Sequence, residues 1–198
     1  LVLEKSEHYE DRVRGEWIAP WGVVETKRVG LYDTLVTAGG HHLSEHVTYD
    51  ESLPPDMCEA APLPLNMLIP DIPGPLCIGH PHHCQTLYDA AAAAGATCLR
   101  PVNVESVTLG EAPSVTFTHG DRQQTVETRL IVGAEGRQSM VRAAAGVKLH
   151  QDRPHHWFAG LLVDQVEGWD PKRQAIGTEG NFGFLAFPQG DGRVRIYG

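Results

Sequence analysis

Leu130-Ile131-Val132-Gly133-Ala134-Glu135-Gly136-Arg137-Gln138-Ser139-Met140-Val141-Arg142 decides how the rest of this sequence is understood. An apolar run, a turn with two glycines and a polar helix start spell a buried strand, a tight turn and a helix. Gly133 and Gly136 let the backbone approach a ligand or take a positive φ. Ser139 is placed to cap the helix, and a helix start favours anions because its first amides lack partners. Glu135, between the glycines, can orient a nearby polar group or a bound water. In generic terms this is a strand–turn–helix that can meet a phosphate.

Working outward, Val102–Leu109, Ser114–His119 and Gln124–Val132 read as three consecutive strands, joined at Gly110 and at Gly120-Asp121 into a meander. A short helix over Ser139–Ala145 stops at Gly146. Pro81 suits the first turn of a helix running through Ala94, with Leu87, Ala91 and Ala94 on its buried face and Gly95 at its end. Val23–Ala38 is predicted as one helix presenting Val24, Leu31 and Leu35, stopped by Gly39-Gly40. From His41 to Ile78 the prolines at 54, 55, 62, 64, 70, 73 and 75 exclude long helices and favour edge strands and loops. Residues 149–198, containing WFAGLLVD and NFGFLAFP, read as long antiparallel strands with aromatic faces.

With 198 residues the chain has room for one good core, or for a domain and part of a second. Its net charge of −9 repels nucleic acid, and no basic stripe tracks a phosphate backbone. No apolar run reaches the roughly 18 residues of a membrane span, and the start carries no signal-peptide pattern. Cys58, Cys77, Cys84 and Cys98 form no C-x-x-C pair, which points to reduced thiols and a cytoplasmic protein. The chain opens on LVLEK, the tail of a buried strand already in progress, and closes on VRIYG, another strand. Both ends look cut, so a fragment is expected.

Two more stretches carry chemistry. Glu4 follows Leu1-Val2-Leu3, where an acid ending a strand accepts hydrogen bonds from an adenosine ribose in a dinucleotide-binding unit. The loop Arg12-Val13-Arg14-Gly15-Glu16-Trp17 places Arg in a glycine-containing segment suited to a pyrophosphate, or equally to solvent.

Together these stretches resemble, in order, flavoprotein monooxygenases of the p-hydroxybenzoate hydroxylase type. The opening segment is similar to that family's second nucleotide-binding motif, G-A-D-G-x-x-S-x-V-R, with Glu135 where the family has Asp. LVLEK resembles the ribose-binding strand, RVRGEWI the Arg-Gly segment near flavin and pyrophosphate, and His80–Ala96 the helix beside the cofactor, with His80 or Pro81 where the family often has Arg. The family's glycine fingerprint and its later G-D motif would lie before Leu1 and beyond Gly198.

The resemblance implies an α/β fold: a Rossmann-like three-layer FAD-binding domain (1–40 and 79–148) interleaved with a mostly antiparallel β substrate domain (41–78 and 149–198), present in part. It implies FAD as cofactor, NADH or NADPH as reductant, and O2 with a small organic substrate, aromatic or polyketide-like, that is hydroxylated or epoxidised. Glu4, Arg14, Gly133, Glu135 and Gly136 are the expected cofactor-binding residues, and Phe182 and Phe184 the expected substrate contacts. No catalytic base is identified. The parent enzyme is expected to bind FAD, and residues 1–198 alone weakly or not at all. A flavin-dependent halogenase or prenyl reductase shares the scaffold, and a non-catalytic fragment without FAD is a further alternative. His80, His82, His83 and Cys84, with His41, His42 and His46, could suggest a metal-binding module, but their spacing is not that of a structural zinc site and no metal is assigned.

Overall fold

A computed structural model describes residues 1–12 and 16–198. In chain order the elements are β1 (Val2–Leu3), β2 (Trp17–Ile18), α1 (Pro20–Arg28), α2 (Tyr32–Thr37), β3 (His41–His42), β4 (Glu45–Asp50), α3 (Pro55–Glu59), β5 (Leu63–Pro64) and β6 (Leu76–Cys77). After these come α4 (His80–Ala93), β7 (Cys98–Leu99), β8 (Val102–Thr108), β9 (Ser114–His119), β10 (Arg122–Glu127) and α5 (Met140–Ala144). The chain closes with β11 (Gly160–Val163), β12 (Arg173–Glu179), β13 (Phe182–Gly190) and β14 (Arg193–Tyr197). The fold is mixed α/β with mostly antiparallel sheets, as expected.

The chain forms two compact units. One comprises Leu1–His8 and Tyr88–His155. Here β1 pairs in parallel with β7, Val2 opposite Cys98 and Leu3 opposite Leu99. β8, β9 and β10 make the antiparallel meander that the sequence predicts. Its buried apolar core is thin, built on Val102 and Phe117.

The other unit comprises Tyr9–Leu87 and His156–Gly198. Its main sheet runs β11-β14-β13-β12-β4-β5, all antiparallel except the β12–β4 pair. A smaller antiparallel sheet is ordered β2-β6-β3. Val23, Leu35, Ile72, Leu76 and Ile78 form one apolar cluster, and Leu43, Leu65 and Cys77 another. Ala175, Ala186 and Val194 form a third on the main sheet, with Tyr49 and Phe184 packed against them.

Four expectations are corrected. The single helix over 23–38 is two, because Gly30 sits at φ 73° and closes α1 with a Schellman pair: the Gly30 amide donates to the Lys27 carbonyl and the Leu31 amide to Thr26. Within α1 it is Val23 that is buried, in a cluster with Leu35, Ile72, Leu76 and Ile78, while Val24 is exposed. β10 ends at Glu127, and Leu130–Val132 is not a buried strand: Leu130 and Val132 are 75% and 79% exposed. A strand needs a ladder partner, and no described strand pairs with this run. Leu1 and Val2 are likewise exposed, since β7 covers only one edge of β1. Finally α4 buries none of its residues, and Leu87 and Ala94 stay exposed, because no described element covers the expected apolar face.

Candidate functional site

The turn that opens the sequence argument closes upon itself. Ser139 caps α5, its Oγ accepting from the Arg142 amide at 3.0 Å. The Glu135 carboxylate accepts from Ser139 Oγ at 2.6 Å and from the amides of Val141 and Met140 at 3.0 and 3.2 Å. Partial desolvation pushes this carboxyl upward, but those three donors outweigh it and hold Glu135 below its ordinary value. The anion favoured at this helix start is therefore the protein's own carboxylate. Gly133 packs hard on the same helix: a Cβ there would lie 2.6 Å from Val141 Cβ. Gly136 takes φ 74° and has nothing within 4 Å of where a Cβ would be, leaving its backbone bare.

Glu4 lies in the same unit, half-buried beyond β1. Its backbone is tied on both sides, the amide donating to Leu99 and the carbonyl accepting from Val102 at 2.9 Å. Its Oε1 accepts from the Ser6 amide at 2.7 Å. Arg14 lies outside the described residues.

These residues can be tested against a flavin nucleotide. Glu4 has acceptor capacity left for ribose hydroxyls, since a carboxylate offers about four lone-pair sites. The bare backbone at Gly136 permits close approach. Arg142 adds a partly buried guanidinium whose buried Nε and Nη1 have no hydrogen-bond partner among the described residues, while its Nη2 donates to the Arg137 carbonyl at 3.2 Å. A ligand phosphate is a natural acceptor for such donors. The α5 amides cannot serve that role, because Glu135 and Ser139 already hold them. The donor set fits a nucleotide, with charge supplied by a guanidinium and not by the helix start.

In the second unit, Phe184 packs in the core beside Tyr49, ring centroids 6.0 Å apart, while Phe182 is 58% exposed. Phe187 faces the other side of β13, against Trp17 and Tyr197, because the register shift comes after it, between Pro188 and Gly190.

The same unit holds a buried polar centre that sequence reasoning missed. Glu16, 2% exposed, accepts at Oε1 from Arg195 Nε at 3.0 Å and Nη2 at 2.6 Å, and at Oε2 from the Tyr197 hydroxyl. Arg195, 3% exposed, also binds Asp11. Burial would depress the guanidinium, but Glu16 and then Asp11 raise its pKa above the usual value. Tyr197 is pushed up, first by burial and then by Glu16. Beside this centre lies a cleft of about 140 Å³ lined by Glu16, Arg195, Gln189, Arg193, His82 and Leu162, among others. Phe182 and Phe184 do not line it. The available signal was a Glu, an Arg and a Tyr inside otherwise apolar strand ends, but their pairing spans about 180 positions.

Among the described residues no group of three or more His, Cys, Asp or Glu is placed to hold a metal ion. No described helix is long and apolar enough to cross a membrane.

Residues 1–192 match the protein family described as FAD binding domain. Among solved structures, PqsL of Pseudomonas aeruginosa in complex with 2-aminobenzoylacetate superposes with a TM-score of 0.74 at 19% identity, over 99% of this chain and 52% of that one. The p-nitrophenol 4-monooxygenase PnpA from Pseudomonas putida gives 0.74 at 14% identity, over 99% and 50%. CmlS, a flavin-dependent halogenase, gives 0.75 at 16% identity, over 96% and 35%. At these identities the likeness is one of fold. The chain spans about half the length of the first two. No curated protein matches it.

Two outcomes are expected. A carboxyl held below its ordinary value stabilises fully above the ordinary range and loses that contribution as pH falls through its folded value. Wild type should therefore exceed Glu135→Gln in urea stability at neutral pH, with the gap closing below about pH 4; a gap independent of pH would contradict the cap. Replacing Arg195 by Met alone should cost about 3–5 kcal/mol by stranding the Glu16 charge, and adding Glu16→Leu should recover much of the loss. A double variant as unstable as the single one would contradict that account.

Proposed function

The chain belongs to the FAD binding domain family, and from that premise we propose that it is part of an NAD(P)H-dependent flavoprotein monooxygenase acting on a small organic substrate. The observation that carries this reading is the closed Gly133–Arg142 turn in the same compact unit as Glu4, the acid that follows a parallel strand. Glu4 accepts from the ribose hydroxyls of FAD. The Gly133–Gly136 backbone passes close to the nucleotide, and Glu135 contributes by locking the turn. Arg142 faces ligand phosphate, and Arg14 faces the pyrophosphate or the flavin. Phe182 and Phe184 belong to the substrate side, which comprises residues 41–78 and 149–198, while residues 1–40 and 79–148 serve the cofactor.

FAD, when bound, supplies the electron transfer from NADH or NADPH and the activation of O2. The protein's part is to hold the nucleotide, orient the substrate and exclude water. The named activities of the neighbours support an aromatic or polyketide-like substrate: one is a p-nitrophenol 4-monooxygenase, and another is an aklavinone-11 hydroxylase solved with FAD and aklavinone. The fold likeness to CmlS favours a second reading, flavin-dependent halogenation. The proposal includes a cytoplasmic location, which the reduced-thiol reading of the four cysteines supports.

Isolated from its native source, the protein should carry about one FAD per chain. Glu4→Ala should weaken FAD affinity by about tenfold to a hundredfold in a fluorescence titration, the worth of a hydrogen bond to a charged group. Absence of any FAD from the protein isolated from its native source would overturn the reading, whereas residues 1–198 alone are expected to bind it weakly or not at all. Product analysis with and without halide would separate monooxygenation from halogenation.

A further inference from the structure

The cleft beside the Glu16–Arg195 pair contains one side chain that the fold leaves unexplained. Gln189 is 4% exposed, and among the described residues neither its Nε2 nor its Oε1 has a hydrogen-bond partner. Buried amides are nearly always paired, so a native one without a protein partner calls for a reason. Its backbone position is equally unusual. Pro188 pairs with Val194 and Gly190 with Arg193, so Gln189 is the extra residue of a β-bulge between β13 and β14. Bulges cost ladder bonds and serve to re-aim a side chain, and this one puts Gln189 in the cleft wall. Arg193, on the same wall, also has a buried Nε without a partner among the described residues.

The chemistry of the wall restricts what would bind. Asp11 and Glu16 balance Arg193 and Arg195, so the ionised lining carries no net formal charge and favours a neutral ligand. A carboxamide presents one donor and one acceptor side by side, and only a ligand edge with adjacent acceptor and donor satisfies both. A volume of about 140 Å³ compares with the engineered cavity of about 150 Å³ that takes up benzene. It suits a single six-membered ring.

We propose that Gln189 is the specificity-determining residue of this cleft, which binds a neutral six-membered ring bearing adjacent carbonyl and N–H or O–H groups. Only the naming of that ring as the enzyme's substrate rests on the flavoprotein reading. Gln189 bonds both groups of the edge, and the Arg193 Nε–H donates to the carbonyl. A ring lacking the donor strands the Gln189 oxygen, and a site built to hydrogen-bond its ligand rejects such analogues strongly.

The probe is 2-pyridone, whose C=O and N–H are adjacent on one ring, compared with N-methyl-2-pyridone, which lacks the donor. Both are titrated into the protein and followed by NMR through the backbone amide resonances of Leu162 and Arg193 in the cleft wall, which wild type and variant share. Wild type should bind 2-pyridone at least about tenfold more tightly than the methylated ring. Gln189→Leu, which removes a buried amide without a partner, should stay folded and bind the two rings equally. Failure of 2-pyridone to bind, equal affinities on wild type, or a preference that survives Gln189→Leu would each overturn the proposal. The last outcome would mean that the methyl group acts through its bulk alone. A protein isolated from its native source that shows the preference but carries no FAD would sink the flavoprotein reading and leave this one standing. FAD binding without the preference would do the reverse.

Discussion

Glu16 is the point on which the larger unit turns. Its carboxylate, buried just before β2, receives the Arg195 guanidinium and the Tyr197 hydroxyl from the last strand of the chain. Taking a carboxylate and a guanidinium out of water is expensive, and the cost is met only when the remaining acceptor sites are filled. Here three of the roughly four sites are filled, with two bonds at Oε1 and one at Oε2. The pair therefore joins the start and end of the unit in one arrangement, and both ends form walls of the cleft. Phe158 stacks on Tyr197 at 5.2 Å and Phe187 meets it edge-on at 5.9 Å, closing apolar surface over the polar centre. Cys77 lies behind it, its thiol pushed up by burial and by the Glu16 charge, which makes it an inert core residue.

The smaller unit follows a different rule. It has little apolar core, and local hydrogen bonding compensates: Glu135 and Ser139 occupy the first amides of α5. The longer acid at position 135 reaches back across its own turn to those amides. The turn is thereby shaped without a ligand, and a nucleotide would meet a formed surface. Among the described residues, the Arg142 Nε and Nη1 are the buried side-chain atoms of this motif left without a partner, while Nη2 is bonded to the Arg137 carbonyl.

How much of this was legible in the sequence depends on how local each cause is. The Ser139 cap, the meander and the helix stop at Gly39 are set by neighbours a few positions apart, and all were readable. Gly30 does not by itself signal a helix end, because an isolated glycine inside a helical pattern is often tolerated. Here the residues after it supplied the second half of a Schellman closure. Leu130–Val132 looked like a buried strand by composition, but burial needs a partner strand that composition does not provide. The Glu16–Arg195–Tyr197 centre and the Gln189 bulge were invisible for a related reason: each exists only through the pairing of distant strands. Of the expected site residues, Glu4, Gly133, Glu135 and Gly136 fall in one unit and Phe182 and Phe184 in the other, while Arg14 lies outside the described residues.

The central claim is that the first eight residues and the glycine turn hold the nucleotide. Hydrogen–deuterium exchange with and without FAD tests it most directly, because the readout is the backbone of those segments. The account expects FAD to slow exchange in residues 1–8 and 130–142 while leaving the meander over 102–127 unchanged. Exchange that FAD leaves unaltered in both stretches, or slows only in the meander, would contradict it.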